Sequence, residues 1–254
     1  MKRSLTTLVV AALVALAAAG CSSGTTSTGS RSNQTGGATP SASATPAASN
    51  GTATMSAAQA TGAAIKALTA AKTVRITGTF ADPETHHSGQ LDMWVTGTSG
   101  RGTMGEQGAK IEMVFCNGTV YFKASADALK MMTKGQGIPA GAMDLMAGHW
   151  FKVGSIQESQ LPVLTISALA AELSRLIVSD SHATVSTGTF AGQPVTIVSY
   201  RDGSRVYIAA TGPARPLRLD LPGSDGGHFL FSGYGVPVTV TPPQGALDVG
   251  QMGQ

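Results

Sequence analysis

Apolar and polar positions fall into three regimes along the 254-residue chain. Behind Lys2 and Arg3, residues Leu5 to Ala19 form a largely apolar run. From Ser22 to about Asn50 the chain is almost entirely Ser, Thr, Gly, Ala, Pro and Asn, with no aromatic residue and a single charge, Arg31. Beyond it, apolar residues return with a period. Ser56 is a candidate N-cap, and Ala57, Ala60, Ala64, Ile65, Leu68 and Ala71 recur at helical spacing, their smallness suited to close approach by a sheet.

Alternation then takes over. Val74 to Phe80 and Leu91 to Thr96 read as a strand pair. Lys110 to Cys116 and Thr119 to Lys123 flank Asn117-Gly118, which suits a type I′ turn because both residues tolerate positive φ. The two-residue loop sets Cys116 opposite Thr119, Phe115 opposite Val120, Met113 opposite Phe122 and Glu112 opposite Lys123. Ile111, Met113, Phe115, Val120 and Phe122 then share one face, and Glu112, Val114, Tyr121 and Lys123 the other. Between Ser125 and Gly148 the period changes: a helix capped by Ser125 and ended at Gly135, then a second short helix with Met143, Leu145 and Met146. His149 to Val153 returns to strand, and a third helix is expected from Ser167, with Ile166, Leu169, Leu173 and Leu176 on one side. His182 to Phe190, Val195 to Tyr200, Arg205 to Ala209, Leu217 to Leu221, His228 to Phe231 and Val238 to Val240 complete the strand set, with Asp202-Gly203 as a second tight turn. The stretch Thr77-Gly78-Thr79-Phe80-Ala81 recurs as Thr187 to Ala191, a hint of two equivalent meanders.

Around ten short strands with helices at the start and in the middle describe an α+β fold: a strongly curved antiparallel sheet whose concave face helices cover. Three regions follow: a leader at residues 1–20, a tether at 21–54 and a folded domain at 55–254. The tether lacks side chains able to offset the entropy of ordering. All the Trp, Tyr and Phe residues lie at or after Phe80.

The junction Ala18-Ala19-Gly20-Cys21 carries the first chemistry. An apolar run of about fifteen residues is short for a bilayer span, which wants about twenty, and its small-residue end reads as a processing site. One reading is an Ala-x-Ala cut that leaves a secreted chain. The stronger reading is a lipobox, whose cysteine becomes a diacylglyceryl thioether and tethers the protein to the outer face of the cell membrane. Acyl chains contribute about 0.8 kcal/mol per buried methylene, so two or three anchor firmly. Loss of Lys2 and Arg3 with the leader would remove most of the formal charge of +3, and no basic patch with interleaved aromatics remains, so nucleic acid is not an expected partner. The second of the two cysteines, Cys116, reads as a small apolar strand residue.

Met131, Met132, Met143 and Met146 crowd the expected cover. Thioethers re-pack around irregular apolar shapes, which suits a lid over acyl chains, and they serve equally as ordinary core filler. The adjacent pair His86-His87 points to opposite sides of an extended chain and has no evident third ligand, so no metal or cofactor is expected. His149 and His228 have no obvious carboxylate partner. Asp82, Glu84 and Asp92 are the nearest approach to a carboxylate group, and no hydrolase, zincin or P-loop signature occurs, so no enzyme is expected.

In this order of parts, and in the phrases "FCNGTVYFK", "GHWFKV" and "FSGYGVPVTVTPP", the chain resembles the LppX/LprG family of actinobacterial lipoproteins, whose LolA/LolB-like fold implies a half-barrel of antiparallel strands closed by helices. The resemblance implies a monomeric carrier or chaperone that binds acylated lipid, glycolipid or lipoprotein acyl chains in an apolar cavity, with an unknown envelope transport partner. Candidate lining residues are Ile111, Met113, Phe115, Val120, Phe122, Leu129, Met132, Met143, Met146, Leu169 and Leu173. The alternative is a non-catalytic envelope interaction or sensor module with a filled core.

Overall fold

A computed structural model of the chain describes residues 48–81, 88–132, 140–155, 165–223 and 226–248. After a 3₁₀ turn at Thr52–Thr54 come α1 (Ala57–Ala70), β1 (Thr73–Ala81), β2 (Ser88–Thr96), β3 (Gly100–Glu106), β4 (Ala109–Cys116), β5 (Thr119–Ala124), α2 (Ala126–Met132), α3 (Ala140–Met146) and β6 (Trp150–Ser155). Then follow α4 (Ile166–Ser179), β7 (Thr184–Phe190), β8 (Gln193–Ser199), β9 (Arg205–Ala209), β10 (Pro216–Leu221), β11 (Gly227–Ser232) and β12 (Leu247–Asp248). The fold is α+β.

The strands form one twelve-stranded sheet in the order β12-β6-β5-β4-β3-β2-β1-β11-β10-β9-β8-β7. It is two consecutive meanders, β1 to β6 and β7 to β11, joined where β1 pairs with β11. All described pairings are antiparallel except the short parallel contact of β12 with β6. The sheet is not closed, and β12 and β7 are its edges.

The β4–β5 hairpin has the register its turn dictates, with Cys116, Phe115, Met113 and Glu112 opposite Thr119, Val120, Phe122 and Lys123. Asn117 and Gly118 adopt φ of 53° and 72°, the positive values a type I′ turn requires. Alternation carries one apolar row across the sheet: Phe231, Ile76, Met93, Gly102, Met113, Phe122 and Phe151 stand on successive paired strands. At Gly102 a Cβ would come within 2.5 Å of the Met93 sulfur, so the row is continuous because the methionine fills the place of the missing side chain.

The opposite face is charged. Asp92 accepts two hydrogen bonds from Arg75, at 2.8 and 2.6 Å, and Lys123 lies 3.1 Å from Glu112 and 5.2 Å over the Trp150 ring. Arg218 bonds Asp220 at 2.6 Å and lies over Phe190 and Tyr207. Such half-exposed pairs contribute about 0–1 kcal/mol each, and they fix the register more than the stability.

Several sequence expectations are corrected. Strand β3 was not anticipated, because Gly100, Gly102 and Gly105 give it little β-propensity of its own. Val238 to Val240 joins no ladder, since prolines at 237, 242 and 243 remove donors on both sides. Helix α4 begins before Ser167: Thr165 is its cap, accepting from the Ala168 N–H at 3.0 Å, while Ser167 donates to the Gly97 carbonyl at 2.8 Å. The end of α2 expected at Gly135 lies outside the described residues, as do the leader and most of the tether. Residues 49–54 belong to the packed part: Ser49 bridges to Thr211, and Asn50 Nδ2 donates to Ala209 O at 2.7 Å and to Gly212 O at 3.0 Å. The repeated pentapeptide is not structurally equivalent. Phe80 packs toward the helices, whereas Phe190 stacks on Tyr207 on the charged side.

Helix α1 opens with a capping box in which Ser56 and Gln59 satisfy each other's backbone donors, and it buries Ala60, Thr61, Ala64 and Leu68. Their small side chains bring the helix close to Val198, Val206 and Ile208 of the sheet. Helix α4 adds Ile166, Leu169 and Leu173 to this cluster, which extends through Val74, Ile76, Met93 and Val95 to Met113, Phe115 and Val120.

Candidate functional site

A second apolar cluster lies over the far end of the first meander. Ala109, Phe122, Ala124 and Phe151 provide its floor from β4, β5 and β6, and Ala128 and Leu129 of α2 press down on them. The Phe122 and Phe151 rings stack with centroids 5.3 Å apart. Met132, Met143, Met146 and Ala147 close over this floor and are only half-buried, while Met131 and Leu145 are 42% and 55% exposed.

Local chemistry explains why the roof sits there. The Ser125 hydroxyl accepts from Ala128 N at 3.2 Å and from Lys110 N at 3.0 Å, so one residue caps α2 and ties it to β4. Gly148, at φ 77°, ends α3 in the left-handed region, and its N–H donates to Ala124 O at 3.0 Å. Both ends of the α2–α3 segment are thus stapled to the same end of the β4–β5 hairpin. Seven residues of each helix are described, and their apolar side chains pack on the floor.

The expected lining residues separate into two groups. Phe122 and Leu129 belong to this second cluster, with Met132, Met143 and Met146 packed against it. Met113, Phe115, Val120, Leu169 and Leu173 belong to the larger cluster under α1 and α4. Ile111 touches both, as does Val153, and these two side chains connect the compartments. Sequence reasoning did not assign Phe151, Val153, Ala124 or Ala128 to the lining. For Phe151 and Val153 the signal was present in the alternation of "HWFKV". Ala124 and Ala128 carried no signal, because alanine suits any environment.

Every side chain of the second cluster is apolar, so the cluster offers no nucleophile, acid or base. The titratable groups nearby lie elsewhere. Glu112 is engaged by Lys123 and Lys110 on the opposite face, and Lys152 donates to Asp248 at 2.8 Å, which holds the ammonium charged. Burial pushes the Cys116 thiol up, away from nucleophilic reactivity. Asp92 is committed to Arg75, whose hydrogen bonds hold the carboxylate below its usual range. Asp82, Glu84, His86 and His87 lie outside the described residues. His228 shares a 3.0 Å hydrogen bond with the Thr79 hydroxyl, and His149 is exposed. Among the described residues no group of three His, Cys, Asp or Glu could hold a metal ion, and no helix is long and apolar enough to cross a membrane. Cys21 lies outside the described residues.

No family description and no curated protein matches the chain. Among solved structures, LprF from Mycobacterium bovis superposes with a TM-score of 0.50 at 16% identity, over 74% of this chain and 97% of LprF. The lipoprotein LppX of Mycobacterium tuberculosis is similar over 73% of this chain and 98% of its own, at 14% identity and a TM-score of 0.47. These neighbours are mycobacterial proteins of the LppX/LprG family. The likeness to LprF shows that this chain has the same fold.

Proposed function

We propose that this chain is an envelope lipoprotein, held through Cys21 at the outer face of the cell membrane, that binds the acyl chains of a lipid or glycolipid and carries or chaperones it. In this reading the sheet curls, its apolar face is the concave one, and the helices cover it. Acyl chains lie between the floor of Phe122, Ala124 and Phe151 and the roof of Met132, Met143 and Met146, and they extend past Ile111 and Val153 toward Met113, Phe115, Val120, Leu169 and Leu173. The observation that carries the reading is the quality of the second cluster: a wholly apolar floor beneath a helical roof whose methionines are only half-buried. Methionine adapts to guests of irregular shape at little rotamer cost, which suits a lid that accepts more than one chain. The shared fold with LprF supports the same reading, as does the lipobox.

Native mass spectrometry of the full chain, expressed with its leader in a bacterial envelope and released in mild detergent, tests both parts. The expected result is a protein mass carrying a diacylglyceryl group on Cys21, together with a noncovalent acylated lipid that exchanges on incubation with vesicles. A covalently lipidated protein free of any exchangeable lipid would overturn the carrier role, and an unmodified Cys21 would overturn the anchor.

A further inference from the structure

The two edges of the sheet are built differently. At one edge, β12 is two residues long and bears the Lys152–Asp248 ion pair at 2.8 Å, and both shortness and charge discourage another strand from adding there. At the other edge, β7 runs seven residues, Thr-Val-Ser-Thr-Gly-Thr-Phe, and pairs with β8 through an unbroken register from Thr184↔Ser199 to Phe190↔Gln193. It has no bulge, proline or charge. From Ala183 to Tyr200, the whole edge hairpin with its flanks, there is no charged side chain at all. Thr184, Ser186, Thr187 and Thr189 are exposed, and among the described residues no backbone group outside β8 bonds to β7. A long, regular, uncharged and β-branched edge is a template for another strand.

We propose that β7 pairs antiparallel with β7 of a second copy of this chain, about a two-fold axis at Thr187, so that two sheets join across this edge. The strand is self-complementary in that register. Full overlap of Thr184–Phe190 with itself sets Thr187 opposite Thr187, Ser186 opposite Gly188, Val185 opposite Thr189 and Thr184 opposite Phe190. No like charges meet, and a Thr–Thr pair at the axis is among the favourable cross-strand pairs. A two-fold contact closes on itself, so it yields a dimer and not a fibre. One strand pair covers less than the roughly 1,600 Å² of a standard stable interface, so the dimer is reversible and its population rises with concentration. It is an alternative to the monomer expected from the sequence, and it does not depend on the lipid reading.

The test uses sedimentation velocity of the full chain in detergent micelles over a range of concentrations. The expected wild-type result is a monomer–dimer equilibrium. Thr187→Lys, an exposed substitution that sets two like charges face to face, should weaken association by at least about tenfold. An equimolar mixture of Thr187→Lys and Thr187→Glu should restore it, because opposite charges then meet at the axis. Circular dichroism melts of each variant establish that they fold. A wild-type monomer at all concentrations overturns the proposal and leaves the edge to a strand from another protein. A dimer indifferent to Thr187→Lys, or a mixture that stays monomeric, overturns it equally.

Discussion

The two apolar compartments on the same face of the sheet differ in how they are closed. Under α1 and α4, long helices of fourteen residues meet the sheet through alanines and β-branched residues, and Ala60, Ala64, Leu68, Val74, Ile76, Met93, Val95, Val198, Val206 and Ile208 have no exposure at all. Polar groups there are satisfied inside, with Thr61 bonded to Tyr200 and Thr52 to Thr196, each at 2.7 Å. Under α2 and α3, flexible methionines that are only partly buried close over the floor. A core closed with alanine and valine specifies one arrangement of side chains. A surface closed with methionine tolerates several, and that is the property a guest-binding region needs.

The largest effects should separate these compartments. Leu68→Ala, in the fully closed one, is expected to cost about 3–5 kcal/mol in urea unfolding, since its surroundings cannot collapse into the space. Leu129→Ala, nearly as buried but under a roof of adaptable methionines, should fall nearer about 2–3 kcal/mol. Equal losses would break the contrast. Thr61→Val leaves the Tyr200 hydroxyl buried without its partner and should cost about 1–3 kcal/mol while leaving lipid content unchanged. Met143→Asp should do the reverse: stability changes by about 1 kcal/mol, as befits a partly buried site, while the acylated lipid in the native mass spectrum is lost. A Met143→Asp protein that keeps its lipid would move the guest into the larger compartment.

The smallest effect is a pH dependence. The Asp92 carboxylate is held low by its hydrogen bonds from Arg75, and Asp180 by those from the Arg201 and His182 backbone N–H groups. A depressed folded-state pKa contributes stability that is fully present above the unfolded value near 3.9 and is lost as pH falls through the lower folded value. Melting temperature should therefore be flat from neutral pH to about 5, then fall below about 4. Asp92→Asn should flatten part of that fall, measured by thermal melts at stepped pH.

Local rules were legible in the sequence, and long-range ones were not. The Asn117-Gly118 turn allowed each partner in β4–β5 to be named, because a two-residue loop leaves a single register. The Ser56 cap and the Ala60–Ala64–Leu68 stripe of α1 were equally plain. The pairing of β1 with β11 was beyond reach, since nothing near Ile76 records that Phe231 will lie beside it. Gly102 concealed a strand for the same reason: its place in the apolar row depends on Met93 in a neighbour. The alternation around Phe115 and Phe122 identified the face of the sheet that is buried. The division of that face into two compartments depends on where the helices land, which no local pattern encodes.

The clasp at Asn50 has a consequence for orientation. It grips the chain where β9 ends, and α2 leaves the sheet where β5 ends; because these strands run through the ladder in opposite senses, the two features sit at opposite ends of the fold. If Cys21 is lipidated as proposed, the chain enters the fold from its Asn50 end, and the methionine-lined roof lies at the end farther from the anchor.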